Sequence, residues 1–414
     1  MRLIVLVLCV AGLASGASAG ENWPEFRGPT ADGMSDATGL PVTFGEKENV
    51  VWKVPIHGLG WSSPVVWGKQ IWMTTATEDG KQMFAVCVDL ESGKVVHDIL
   101  LFENDEVFFR HPTNSYASPT PALEAGRGYF HFGRYGTACL DTETGKVLWT
   151  RRDLQSEDFR GPGSSPIIVD DLLFVAYDGV DVQFVVAFDK RTGKTAWKKD
   201  RNIDYGTDNP DRMKGYSTAR VIEHKGRRQL ISPSAGSTIA YDPATGRELW
   251  RVRHGGMNAA ARPLYGHGLV YLSAGEKAMS LIAVRPDGTG NVTDTHIEWK
   301  TSKSTPKRSS EILLGDLLFF ISDKGTASCV DAKTGELYWS ERVRSEHWGS
   351  PVYVDGKIYF TTKDRYGKYP VIAATKEFKL LAENELESGG NASPAIVGKA
   401  LIIRTKTHLY RFEK

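Results

Sequence analysis

Cysteine is scarce in this chain of 414 residues, occurring only as Cys9, Cys87, Cys139 and Cys329. Beyond residue 19 three remain, an odd number that makes a disulfide framework a poor account of the fold. Each of the three stands two residues before an Asp, in Cys87-Val-Asp89, Cys139-Leu-Asp141 and Cys329-Val-Asp331, where other copies of the same stretch carry Ala187 and Ala240. That pattern marks a small buried strand position rather than a reactive thiol. No His-x-x-x-His or Cys-His cluster occurs at metal-ligand spacing, so no metal site is expected. An excess of either charge is also missing: 51 Lys and Arg against 50 Asp and Glu leave +1, which gives no electrostatic footprint for nucleic acid or an anionic membrane. Beyond the first residues no apolar run is long enough for a transmembrane helix. Glycine-rich stretches such as Gly161-Pro-Gly163 and Gly255-Gly256 lack the strand–loop–helix setting of a phosphate loop.

The N-terminus has the form of an export signal. Arg2 is followed by the apolar stretch Leu3 to Leu13, and Ala17-Ser18-Ala19 supplies the small residues that predict cleavage before Gly20. Cys9 follows Leu8, not a small residue, so a lipid anchor there is not expected. The expected organisation is a signal peptide over 1–19, a lead-in over 20–49 that lies over the outside or one face, and a single repeat domain over 50–414, exported to a periplasm or beyond.

What the chain has in abundance is one motif. Asp141-Thr-Glu-Thr-Gly145-Lys-Val-Leu-Trp149 recurs as Asp189 to Trp197, Asp242 to Trp250 and Asp331 to Trp339, and with His97 for Trp as Asp89 to His97. A degenerate copy ends at Trp299. The unit is a strand–turn–strand. Asp bonds the turn backbone, Gly supplies a positive φ, and the resumed strand ends on a Trp that packs between sheets. Burial of each such ring is worth at most roughly 4–6 kcal/mol.

A second element sets the count. Ser-Pro or a variant opens a short β-rich run at Pro64, Pro119, Pro166, Ala219, Pro263, Glu311, Pro351 and Pro394, at spacings of 40 to 55 residues that suit one four-stranded blade each. The expected fold is therefore all-β: an eight-bladed β-propeller of four-stranded antiparallel blades. The last blade lacks an outer Trp strand, and Val50-Val-Trp52-Lys-Val54 is an unpartnered one, so the N-terminal strand should complete it and close the ring. The structural blade tryptophans are Trp52, Trp149, Trp197, Trp250, Trp299 and Trp339.

The motif Ala-x-Asp-x-x-Thr-Gly-Lys-x-x-Trp resembles the repeat of the pyrroloquinoline-quinone-type (PQQ-like) propellers, over about residues 50–414. Trp23-Pro-Glu-Phe-Arg27-Gly-Pro29 is similar to a leader stretch found before exported members. In size and blade number the chain resembles the propeller subunit of the outer-membrane β-barrel assembly machinery, although that relative is a lipoprotein. The enzymatic branch implies an adjacent Cys-Cys pair, calcium ligands and a catalytic Asp. No Cys-Cys occurs and the ligands find no match, so no PQQ or other cofactor is expected.

The loops entering each blade should converge on one face. Three residues before each opening lie Trp61, Tyr116, Gly163, Tyr216, Ala260, Arg308, Trp348 and Asn391, an expected ring around the axis. With Arg110, His111, Arg160, Arg212, Arg253 and His347 beside it, opposed only by Asp211 and Glu346, this rim is the candidate site for a protein partner or a small anionic ligand. No catalytic residue is assigned. The function expected is a non-catalytic, monomeric binding scaffold in the cell envelope; the alternatives are a quinone-dependent oxidoreductase and a glycan-processing hydrolase using carboxylates such as Asp211 with Glu346.

Overall fold

A computed structural model describes residues 22–414 except 258, 275–278, 344, 365 and 366, so the signal-peptide reading of residues 1–19 lies outside the described residues. The chain forms eight sheets, each built on four antiparallel strands that run outward from a central axis. Blade 1 comprises Val65–Trp67, Gln70–Ala76, Gln82–Asp89 and Val95–Glu103. Blades 2 to 7 follow in order, and blade 8 takes Ala395–Val397, Ala400–Arg404 and His408–Phe412 from the C-terminus. Its fourth strand is Val50–Pro55, which pairs antiparallel with the last strand through Lys53↔Tyr410 and Val54↔Leu409, as the unpartnered Trp strand required. Two short parallel additions complete the count: Met34–Ser35 joins the inner strand of blade 7, and Gly290–Asn291 joins the outer strand of blade 4.

The repeat motif explains how neighbouring blades are locked. Within a blade, the Asp141 carboxylate accepts from the backbone N–H of Thr144 at 2.7 Å and from its hydroxyl at 2.8 Å, and the same bonds recur at Asp89, Asp189, Asp242 and Asp331. Between blades, Trp149 lies on Gly193 of the next turn and donates its indole N–H to Lys190 O at 3.0 Å. Trp52 with Gly93, Trp197 with Gly246 and Trp299 with Gly335 repeat the contact, each indole N–H reaching the carbonyl just after the next motif's Asp. Glycine thus serves twice: its φ is +70° at Gly193, and a Cβ there would lie 2.7 Å from the Trp149 ring. His97, standing where Trp is expected, fills the same place against Gly145 and stacks on Trp72.

The small residue opposite each Trp follows from the pairing. Cys139 faces Trp149, Cys329 faces Trp339, Ala187 faces Trp197 and Cys87 faces His97 across adjacent strands. All three cysteines are buried and free, and burial pushes the Cys139 and Cys329 thiols up to about 12, so they stay protonated. The core is distributed as apolar layers between sheets, such as Val65, Trp72, Phe130 and Leu140 between blades 1 and 2.

The lead-in does more than lie over one face. Trp23 bridges Val66 of blade 1, Pro24 O accepts from Leu123 N of blade 2, and the chain then crosses the axis. Arg262 donates to Phe26 O and pairs with Glu25 at 3.0 Å, while Arg27, 1% exposed, donates to Pro351 O, Asp32 O and Glu311 O. Residues 23–33 therefore touch blades 1, 2, 4, 5, 6 and 7 and plug the channel. Phe44 then packs on Phe412 at 4.8 Å as the segment turns into blade 8.

Two tests follow. Trp250 is 1% exposed, whereas Trp149 is only half-buried. Replacing Trp250 by Ala should cost about 4–5 kcal/mol in denaturant unfolding and Trp149 by Ala about 3. Glu311, fully buried beside the plug, has its carboxyl pushed up to about 7 from 4.5, by burial first, with Arg27 opposing. The folded state then keeps a proton that the unfolded chain releases near 4.5, so this contribution is complete below that pH and fades as pH rises toward 7. Relative to Glu311→Gln, the wild type should lose about 3 kcal/mol of stability across that window, read from unfolding midpoints at each pH.

Candidate ligand-binding cavity

Directly above the plug the eight entering loops surround a cavity of about 200 Å³. Its wall has two tiers. The upper tier holds Trp61, Ser118, Gly163, Tyr216, Ala260, Arg308, Trp348 and Asn391, one from each blade. Seven are the expected ring; the eighth corrects it. Blade 2 opens at Thr120-Pro121, not at Ser118-Pro119, because its inner strand is Ala122–Glu124. The position three residues back is therefore Ser118. Tyr116 instead packs under the loop, with its hydroxyl on Phe108 O at 2.9 Å and its ring 5.9 Å from Tyr135.

The lower tier is a hydrogen-bonded belt. Ser63 N donates to Thr120 Oγ1 at 2.9 Å, Thr120 N to Ser165 Oγ at 2.9 Å, and Ser165 N to Thr218 Oγ1 at 3.0 Å. Arg262 N donates to Ser310 Oγ, Ser310 N to Ser350 Oγ, Ser350 N to Ser393 Oγ, and Ser393 N back to Ser63 Oγ at 3.0 Å. In the remaining step, from blade 4 to blade 5, the Arg262 side chain donates from Nε to Ala219 O at 3.0 Å. Phe26 of the plug forms the floor, so the cavity is a blind cup.

The rim charges are more balanced than the sequence suggests. Arg160 forms a two-point ion pair with Asp211, at 2.5 and 2.8 Å. Arg308 pairs with Asp323, which sequence reading missed, and Lys363 pairs with Glu346 at 2.7 Å. The guanidinium of Arg308 and the ammonium of Lys363 each lie 3.8 Å from the Trp348 ring centroid, so two cations already engage that π-system. Arg110, Arg212 and Arg253 do not line the cavity. Arg110 donates to Asn114 O at 2.9 Å and sits over the Tyr116 ring, Arg212 ends the turn Pro210–Arg212, and Arg253 is exposed. His347 is buried with Nδ1 2.7 Å from Thr361 O.

Three polar atoms of the upper tier are buried without a hydrogen-bond partner: Trp61 Nε1, the Tyr216 hydroxyl and Asn391 Oδ1. Two of the side chains have neighbours that hold them. Lys214 pairs with buried Asp158 at 2.8 Å beside Tyr216, and Asn391 Nδ2 reaches Thr113 O at 3.4 Å. His111 also lines the cup, and its pKa is lowered by burial and by Arg160, Arg308 and Lys363, with Asp211 opposing. Among the described residues no group of three His, Cys, Asp or Glu side chains is placed to hold a metal ion. The signal for the belt was present in the sequence: a hydroxyl precedes the opening residue in seven of eight blades.

A closed ring of eight such blades, sewn by Trp and Gly, defines a PQQ-like β-propeller. The chain belongs to the family whose model is described as outer membrane protein assembly factor BamB, which matches residues 49–322 and 298–409. The fold is similar to that of BamB from Moraxella catarrhalis, with a TM-score of 0.62, 14% identity, and coverage of 88% of this chain and 99% of that one. It is equally similar to a europium-containing methanol dehydrogenase, with a TM-score of 0.65 and 12% identity over 95% and 98% of the two chains. A stretch of 121 residues is 33% identical to quinoprotein ethanol dehydrogenase of Pseudomonas aeruginosa, a match that covers 27% of this chain and 19% of that enzyme. No helix among the described residues is long and apolar enough to cross a membrane.

The belt is testable by deleting one hydroxyl. Ser350→Ala leaves the buried N–H of Ser310 without its acceptor, and the expected loss is about 1–3 kcal/mol in chemical unfolding with the fold retained.

Proposed function

We propose that this chain is an exported, monomeric propeller that acts by binding rather than catalysis, with the loops around the cup docking a protein partner during assembly of outer-membrane proteins. Cleavage after Ala19 would deliver it to the envelope. The observation that carries the reading is the state of the carboxylates. Among the described residues none lines the cup, and three on the surrounding loops and turns are tied up: Asp211 by Arg160, Asp323 by Arg308 and Glu346 by Lys363. A paired-carboxylate hydrolase would need two of them free and facing each other. The match to the assembly-factor family supports the same conclusion.

The oxidoreductase reading has the 33% identical segment in its favour. A flat anionic quinone could stack on Trp61 and pair with Arg160 or Arg308, but the rest of the donor set does not fit. The three described cysteines are buried in separate blades, and the cup wall offers no carboxylate to hold a cation beside the quinone. We therefore derive no redox step.

Phe109, 66% exposed on a loop at the mouth, is the natural reporter. Replacing Phe109 by a photo-crosslinking phenylalanine should trap one envelope protein on irradiation of cells, while the same probe at Lys199 on the outer rim of blade 3 should not. Equal labelling from both positions, or alcohol-dependent dye reduction by the purified chain given PQQ with calcium or europium, would overturn the reading.

A further inference from the structure

Away from the cup, the sheets end in outer strands on the circumference of the ring, and one of these edges differs from the rest. We propose that the outer strand of blade 1 accepts a fifth, parallel strand: an extended segment of a partner polypeptide in which a β-branched apolar residue follows a small and a polar one. This goes beyond partner docking at the mouth and does not depend on it.

The chain itself shows how such an edge is filled. In blade 4 the outer strand Glu248–Arg253 is joined by Gly290–Asn291, with Trp250 opposite Gly290 and Arg251 opposite Asn291. Val292 N donates to Arg251 O at 2.8 Å, and Arg253 N donates to the Thr293 hydroxyl at 2.9 Å. Val292, itself buried, shares an apolar cluster with Leu249, the bulged residue before the tryptophan, which is left 5% exposed. The short run Gly-Asn-Val-Thr thus closes the edge of that blade.

Blade 1 has the same edge without the cover. Its outer strand keeps the same register on its neighbour: His97 lies opposite Cys87 where Trp250 lies opposite Ala240, and Leu100 opposite Phe84 where Arg253 lies opposite Ser237. Asp98 O and Leu100 N therefore stand where Arg251 O and Arg253 N stand, and the sheet ends there. Val96, the counterpart of Leu249, is 48% exposed, and Val95 and Leu100 are exposed on the same strand.

Free edges invite unwanted pairing, and folds blunt them with short strands, charge or proline. Blade 3 does so with Lys198 and Lys199, blade 7 with Glu383 and Glu385, and blade 8 with Lys53 and Pro55. The outer strand of blade 2 also exposes aliphatic side chains, but it stops after five residues. Blade 1 keeps nine, Val95–Glu103, of which only His97 and Asp98 are polar before Glu103. The Asp98 carboxylate is already bonded to His57 Nε2 at 3.0 Å. A strand laid on this edge gains main-chain hydrogen bonds and covers aliphatic surface at once.

The probe is a fluorescein-labelled peptide, Thr-Gly-Asn-Val-Thr-Val-Thr-Val, which carries the sequence of residues 289–293 onward along the longer strand of blade 1. Fluorescence anisotropy with the full chain should show saturable binding with a Kd of about 100 μM or tighter. Proline in place of the first valine removes the N–H that would reach Asp98 O and should weaken binding about tenfold. Val96→Lys should weaken it about tenfold as well, while Leu148→Lys on blade 2 should leave it unchanged. In the unsubstituted chain the peptide should slow hydrogen exchange over residues 95–103 and not over 195–200. Absence of saturable binding overturns the proposal, as does equal binding of the proline peptide or protection confined to another edge. Val96→Lys without effect, or an equal loss from Leu148→Lys, overturns it too. Both substituted positions are exposed, unfolding midpoints check that the variants fold, and the exchange measurement needs no substitution.

Discussion

The indole of one blade resting on the glycine of the next is the contact that the rest of the molecule depends on. It joins a side chain that needs burial to a turn that needs a residue without a side chain, and it adds a hydrogen bond to a carbonyl fixed by the Asp-bonded turn. Because the partners lie about one blade apart in sequence, each contact sets the angle between two sheets and nothing more. Eight such angles close a circle; the indole on glycine sets four of them and His97 on Gly145 a fifth. Where the motif fails, a substitute appears. In blade 4, Trp250 turns inward to Gln229 Oε1 at 2.7 Å, and the gap on its outer strand is taken by Gly290–Asn291. Seven hydroxyl steps and one guanidinium perform the matching task near the axis.

Much of this was legible in the chain. Trp149, Gly193 and their counterparts state the blade, and the mismatch between a last blade short of a strand and an early strand short of a blade states the closure. These features are local or periodic, and sequence spacing reports them directly. The site was less legible for two reasons. Ser118-Pro119 and Thr120-Pro121 offer two openings in succession, and only the pairing of Ala122 with Tyr129 selects the second, which moves Tyr116 out of the ring and Ser118 into it. The charges were misjudged because an ion pair is a matter of where long side chains turn. Arg308 finds Asp323 on a turn of its own blade and Arg160 finds Asp211 from the neighbouring one, and no spacing rule announces either.

The family places this fold alongside an assembly factor, while a segment resembles a dehydrogenase. The shared framework is indifferent to that choice, since the blades fix only where loops arrive. What differs is the wall of the cup. Here it is built from hydroxyls, aromatic rings and ion-paired cations, with its lower end sealed by a segment that carries its own buried arginine, Arg27. The sealing segment also makes the axis a place of high electrostatic demand, because Arg27, Arg262 and Glu311 are all removed from water there.

The eighth blade draws its strands from both halves of the chain, and this has a consequence for biogenesis. Val50–Pro55 is made before the first seven blades, yet its partner His408–Phe412 is made after them. Until then the early strand has a free edge, and the first and seventh sheets face a gap. A nascent chain released short of residue 408 is left with an unpaired, aggregation-prone border. Closure of the ring therefore waits for residues 408–412, and the last sheet is complete only when two strands more than 350 residues apart have met.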